Sequence, residues 1–208
     1  MFSYDGKKTI VTGAGRGIGR AIAVAFAAQG ADVVLAARTV EQLESAADQV
    51  RGLGRRAWVV PTDMADLDQA LALIEKAADV MGSIDILVNN AGGVSHIPGG
   101  PGPIEQMTPE VFDLLYNLNF RSPFFASVKA AEHMKDHGGG NILNVASIDG
   151  LSPTPGRAVY ASAKAALINM TRSMAVELGA HGIRVNAVAP ALIDTELGGI
   201  GSEEERVD

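Results

Sequence analysis

Apolar residues fall into two alternating patterns along the chain. Short, continuous, β-branched runs recur at 9–11, 32–36, 57–60, 84–88, 142–145 and 183–188. Apolar character that is continuous, with no alternation, predicts strands buried on both faces. Longer stretches with helical spacing separate them. Residues 18–29 begin among glycines and run alanine-rich to Gly30, and 40–53 ends at Gly54, each glycine being an expected helix stop. In 67–80, Leu71, Ile74 and Ala78 share one face. Residues 109–128 form a long helical candidate, interrupted by Pro123 and extended towards His133. The longest candidate, 160–178, carries the small residues Ala161, Ala163, Ala165 and Ala166 over much of its surface. Strand and helix alternating across six strands predict an α/β fold with one doubly wound parallel sheet. No linker divides the chain, so 1–208 is expected as one domain, with 198–208 a poorly ordered tail. The Gly/Pro-rich segment 92–103 reads as a surface loop at the carboxyl end of the fourth strand, the ligand-binding edge of such folds.

Composition narrows the function classes. With 47% apolar and 20% charged residues, the chain is not of the disordered type. A net charge of −7 argues against a general nucleic-acid partner. The absence of cysteine excludes a disulfide scaffold, a thiolate nucleophile and a cysteine zinc site. His96, His133, His137 and His181 are dispersed with no metal-ligand spacing, so no metal is expected. His96, in the Gly/Pro loop, reads as a solvated residue with substrate contact the alternative, and Trp58 reads as a packing residue. No apolar stretch reaches the roughly 18 to 20 residues of a membrane span, and the polar start, 1–8, has no signal-peptide core. A soluble, cytoplasmic protein is expected.

Two constellations carry chemistry. Directly after the first strand stands Thr12-Gly13-Ala14-Gly15-Arg16-Gly17-Ile18-Gly19, opening a helix. Glycines there allow a tight turn and close approach to a pyrophosphate, which the helix N-terminus attracts. After the second strand the chain has Arg38 and no acid before Glu41. An acid there would bind a ribose 2′-hydroxyl, whereas Arg38 and Arg16 suit a 2′-phosphate. NADP(H) is therefore favoured, with NAD(H) the alternative. In the second constellation, Tyr160 and Lys164 are four residues apart and so share a helix face. A neighbouring ammonium is expected to lower the phenol pKa from its usual ~10 towards the working range. Ser147 ends the fifth strand and Asn89-Asn90-Ala91-Gly92 the fourth, both at the edge where a reactive cofactor ring would lie.

Together, the TGAGRGIG turn, Asp63, the NNAG of 89–92, Asn119, Ser147 and the YASAK of 160–164 resemble the short-chain dehydrogenase/reductase family from about Lys7 to Thr195. Within it the chain is similar to 3-oxoacyl-carrier-protein reductases and related NADP-dependent carbonyl reductases. The resemblance implies a Rossmann fold of strand order 3-2-1-4-5-6 and an NAD(P)-dependent oxidoreductase acting on a carbonyl or secondary alcohol. It implies Tyr160 as general acid or base, Lys164 as its pKa modulator and a ribose ligand, and Ser147 as the group on the substrate oxygen. Asn119 would hold a helix bend and a water leading to Lys164. Asp63 and Met64 would flank the adenine, Asn90 a ribose, and Ile193 and Thr195 the nicotinamide carboxamide, with Thr12, Ala91, Gly92 and Pro190 completing the cofactor set. A 3-oxoacyl compound, a small ketone, a sugar or a steroid alcohol all remain open as substrates. Small residues on the 161–175 face and family habit imply a homodimer or homotetramer.

Two departures from the family pattern stand out. Ala191 follows Pro190 where the family has glycine, and a positive φ there would cost on the order of 1 kcal/mol. Family chains normally continue into a substrate-covering segment and a seventh strand, expected to be missing here, which would leave 183–188 as an apolar sheet edge. The alternative reading is a truncated, catalytically impaired relative that binds nucleotide or regulates.

Overall fold

A computed structural model describes residues 3–152 and 154–195; the expected tail at 198–208 lies outside the described residues. Six strands, β1 Lys8–Thr12, β2 Asp32–Ala37, β3 Ala57–Pro61, β4 Ile86–Asn89, β5 Gly140–Val145 and β6 Ile183–Val188, form one sheet. All neighbours are parallel and the order is β3-β2-β1-β4-β5-β6, the order implied by the family resemblance. The helices are α1 Gly17–Ala28, α2 Val40–Gly52, α3 Leu67–Met81, α4 Pro109–Tyr116, α5 Ser122–Asp136 and α6 Ala158–Leu178.

Strand periodicity divides the core between the two faces. On one face Val11, Val33, Leu35 and Val88 pack with Ala23 and Ala27 of α1 and Leu43, Ala46 and Val50 of α2. On the other, Ile10, Val34, Leu87 and Ile142 meet Leu73 and Ile74 of α3, Ala130 and Met134 of α5, and Leu167 and Met170 of α6. Central strands covered on both sides need apolar residues at every position, hence their continuous runs. The edges differ from the sequence reading. β3 is only partly buried and β6 alternates buried and exposed positions, each having a single neighbouring strand among the described residues. Trp58 on β3 is half-buried, with the Arg56 guanidinium 5.3 Å from its ring centre.

The long candidate 109–128 is not one helix. Thr108 caps α4 and Pro109 occupies its first turn, as proline can there. A π-helical turn, Asn117–Arg121, then precedes α5, whose first turn takes Pro123. The sheet order reverses between β1 and β4, so the loops leaving these two strands diverge and open a crevice at their carboxyl ends.

The opposite edge is tied by charge. Asp32, at the start of β2, is almost fully buried and receives Lys8 Nζ at 2.6 Å, Arg56 Nη2 at 2.8 Å and Arg55 Nη2 at 3.2 Å. Burial alone would raise its pKa, but hydrogen bonds from Lys8 and Arg56 and the Lys8 charge hold it well below the usual carboxylate range. A depressed carboxylate stabilises the fold above its unfolded pKa, near ~3.9, and that contribution disappears as pH falls below it. Asp32→Ala strands these cations and is expected to cost about 3 kcal/mol in urea unfolding at neutral pH, with activity unchanged because the crevice lies at the far edge. A loss below about 0.5 kcal/mol would show the cluster to be solvated.

Candidate active site

The crevice is a cleft of about 510 Å³ built by loops at the carboxyl ends of the strands. Its floor is the turn between β1 and α1. Gly13 and Gly17 there have positive φ, and a Cβ on Gly19 would overlap the Gly13 carbonyl oxygen. Asn90 locks this turn from β4, its Nδ2 donating to Thr12 O at 2.8 Å and Gly13 O at 3.3 Å. Thr12 is the one expected cofactor residue that does not line the cleft. It is buried behind it, where its Oγ1 accepts the Asn90 and Ala91 N–H groups, both at 3.0 Å, and donates to Val88 O. The remaining expected cofactor residues all reach the cleft surface. Gly13, Gly15, Arg16, Gly17, Ile18 and Gly19 form the floor; Arg38, Asp63 and Met64 come from β2 and β3. Asn90, Ala91 and Gly92 follow β4, and Pro190, Ile193 and Thr195 follow β6.

Ser147, Tyr160 and Lys164 line the same cleft. Ser147 follows β5; its Oγ accepts the Asp149 N–H at 3.2 Å, and the same hydroxyl hydrogen-bonds with the Tyr160 phenol. Lys164 is 3% exposed and donates from Nζ to Val145 O at 2.8 Å. Burial lowers its pKa to about 8. The Tyr160 phenol does not follow the expected shift. Burial raises its pKa, outweighing a hydrogen bond with Ser147, while Asp149 raises it further and Arg157 lowers it. Lys164 does not reverse this, because its ammonium points to Val145 O and stands 5.8 Å from the phenol ring centre.

Asn119 is fully buried in the π turn and does not line the cleft. Its Nδ2 donates to Leu115 O and Gly93 O, both at 3.0 Å, and its Oδ1 accepts the Gly93 N–H at 2.9 Å. The side chain thus joins the irregular helix to the loop after β4. Gly92 lets Asn119 and Lys164 converge: a Cβ there would lie 2.8 Å from Asn119 Oδ1 and 3.0 Å from Lys164 Nζ. Ala191 needs no special backbone, since only glycines have positive φ among the described residues.

A family model of the short chain dehydrogenase matches residues 7–205. The chain belongs to the short-chain dehydrogenase family. An uncharacterized oxidoreductase of Thermotoga maritima is 40% identical over 195 residues, covering 93% of this chain and 74% of the relative. A short chain dehydrogenase of Burkholderia cenocepacia, solved in complex with NADP, has a TM-score of 0.90 at 35% identity, over 99% of this chain and 82% of that one. A 7α-hydroxysteroid dehydrogenase, complexed with NADH and 7-oxo glycochenodeoxycholic acid, also has a TM-score of 0.90, at 38% identity over 98% of this chain and 80% of its own.

Three features of this short-chain dehydrogenase carry little signal in its sequence. His96 lines the cleft, with its ring against Gly93. Burial, then the charges of Arg38 and Arg16, lower its pKa, so it stays neutral more readily than a solvated loop histidine. Arg157, three residues before Tyr160, also faces the cleft. Behind the site, Asn89 Nδ2 donates to Ser127 Oγ and Asn144 Oδ1, both at 2.8 Å, and Asn144 Nδ2 to Thr171 Oγ1 at 2.9 Å. That buried chain ties β4, α5, β5 and α6 together beneath the cleft. No helix among the described residues is long and apolar enough to cross a membrane.

Proposed function

We propose that this short-chain dehydrogenase binds NADP(H) in the cleft and interconverts a ketone and its secondary alcohol, with Tyr160 exchanging the proton. One observation carries the reading: an anion-receptive helix terminus, the guanidinium groups of Arg16 and Arg38 and the Ser147–Tyr160–Lys164 set share one cleft. The residues present fit the cofactor. α1 has neither a side-chain cap nor an acid in its first turn, whereas Asp66 caps α3 and Thr108 caps α4. Its N–H groups suit a pyrophosphate. Arg16 and Arg38 make no ion pair among the described residues and suit a 2′-phosphate. Asp63 and Met64 would flank the adenine, Asn90, Ala91 and Gly92 the adjoining ribose, and Pro190, Ile193 and Thr195 the nicotinamide.

When bound, the nicotinamide supplies or accepts the hydride. Ser147 turns its hydroxyl hydrogen to the substrate oxygen and orients it. Tyr160, kept protonated at neutral pH by its buried site, gives its proton to that oxygen as negative charge develops. Lys164 donates to the ribose hydroxyls and supports the phenolate left behind. Asn119 is a positioning residue, fixing Gly93 and the π turn beside Lys164.

Cofactor choice is testable by fluorescence titration with NADPH and NADH. Arg38→Asp replaces a donor with a like charge and is expected to lower the NADPH-to-NADH affinity ratio by about 100-fold. An unchanged ratio would remove Arg38 from the phosphate site. The same reading includes a homodimer or homotetramer, supported by Phe112 on α4 and Phe125 and Val128 on α5, which expose apolar surface.

A further inference from the structure

The segment between Ser147 and Tyr160 builds a second polar device in the cleft. Asp149 lies in the turn after Ser147 with a side chain only 5% exposed. One of its oxygens accepts from Thr154 Oγ1, and the other pairs with Arg157 Nη1 at 3.0 Å. The carboxylate is absent from the cleft surface, while Arg157, 35% exposed, lines the cleft beside Ser147 and Tyr160. The pair therefore hides its anion and presents its cation. A single Nη1 contact leaves Nε and Nη2 without a protein partner among the described residues, and these donors form the planar fork that matches a carboxylate. Both charges act on the Tyr160 phenol, so the guanidinium lies within electrostatic reach of the reacting oxygen. The same cleft also has apolar lining from Val94, Ile97, Leu114, Leu118 and Leu192.

We propose that Arg157 is the substrate-anchoring residue, and that the substrate is an apolar ketone, or the matching secondary alcohol, that also bears a carboxylate. The proposal deepens the carbonyl–alcohol reading above and rests on it. Asp149 sets the direction of the guanidinium and, with both oxygens engaged, does not compete with the substrate. Hydrophobic contact holds the body of the substrate, and the Arg157 fork fixes which carbon lies under Tyr160. A guanidinium that only balanced Asp149 would give no preference between an acid and its ester.

The test uses the full chain with NADPH, positional isomers of oxo-octanoate and their methyl esters. For the isomer that spans the two groups, kcat/KM is expected to favour the acid over the ester by about tenfold or more. Raising ionic strength erodes that preference through KM. Arg157→Gln is expected to bring the acid-to-ester ratio close to one, mainly by raising KM for the acid, and Arg157→Lys to retain part of it. Equal use of acids and esters by the native chain across the series, or a Gln variant that keeps the native ratio, overturns the proposal. Should the Gln variant not fold, the native ratio, its salt dependence and the Lys variant decide. Turnover of esters without any preference for acids sinks the Arg157 assignment alone; turnover of neither class sinks the carbonyl–alcohol reading with it.

Discussion

Tyr160→Phe will lower kcat about 1,000-fold while the Kd for NADPH stays within a few-fold of the native value. The phenol lines the cleft, keeps its proton at neutral pH and hydrogen-bonds with Ser147, and positioned general acids contribute about 100- to 10,000-fold. Phenylalanine keeps the ring and its packing, so the loss isolates the hydroxyl. Steady-state reduction and a parallel fluorescence titration separate the two quantities. Near-native turnover would remove Tyr160 from the proton path. A parallel fall in NADPH affinity would mean that the hydroxyl acts in binding instead.

Lys164→Met will abolish turnover and yet leave the protein no less stable at pH 7. The ammonium is buried, and its folded pKa of about 8 lies below the ordinary lysine value of 10.5. Between these two values the unfolded chain holds a proton that the folded chain has shed. The lysine's contribution to stability therefore rises with pH across that window, and below it the buried charge opposes folding. From pH 7 to 9.5 the native protein should gain about 2 kcal/mol relative to the methionine variant. The variant also strands the Val145 carbonyl, a loss of about 1–3 kcal/mol that offsets part of its advantage at neutral pH. Urea unfolding of both proteins at the two pH values measures the difference. Parallel pH dependences would show that Lys164 keeps an ordinary pKa in the fold.

These two residues show what the sequence makes legible and what it leaves out. The spacing of Tyr160 and Lys164 put both on one helix face, and the six apolar runs located the strands to within a few residues. Spacing does not report depth. The expected depression of the Tyr160 pKa failed because Lys164 turns to Val145 O, a contact set by how α6 crosses the end of β5. Burial on both faces was likewise read from local runs, which carry no information on strand order; that β3 and β6 lie at the edges came from the order the resemblance implied. The apolar period of 109–128 continues through the π turn and did not show it; only the family resemblance put a helix bend at Asn119, whose side chain takes the Leu115 carbonyl. Arg157 was silent for another reason: surface arginines are common, and only the burial of Asp149 behind it reveals which way it points.

The same contrast separates stability from chemistry along the strands. Asp32 and its cations close the amino-terminal edge of the sheet, whereas the glycine turn, Asn90 and Ser147 gather at the carboxyl edge. A parallel sheet brings the loops of successive strands to one end, so residues from 13 to 195 in the sequence converge on one cleft.

Hydride transfer itself is tested most directly by isotope. The native protein is given a ketone and NADPH carrying deuterium at one face of the nicotinamide C4, each face in a separate reaction, and the alcohol is analysed by mass spectrometry. Deuterium at the carbinol carbon from one of the two labelled faces is the expected result. Alcohol without deuterium from either face, or no alcohol formed while NADPH is bound, would contradict the assignment of this cleft to carbonyl reduction.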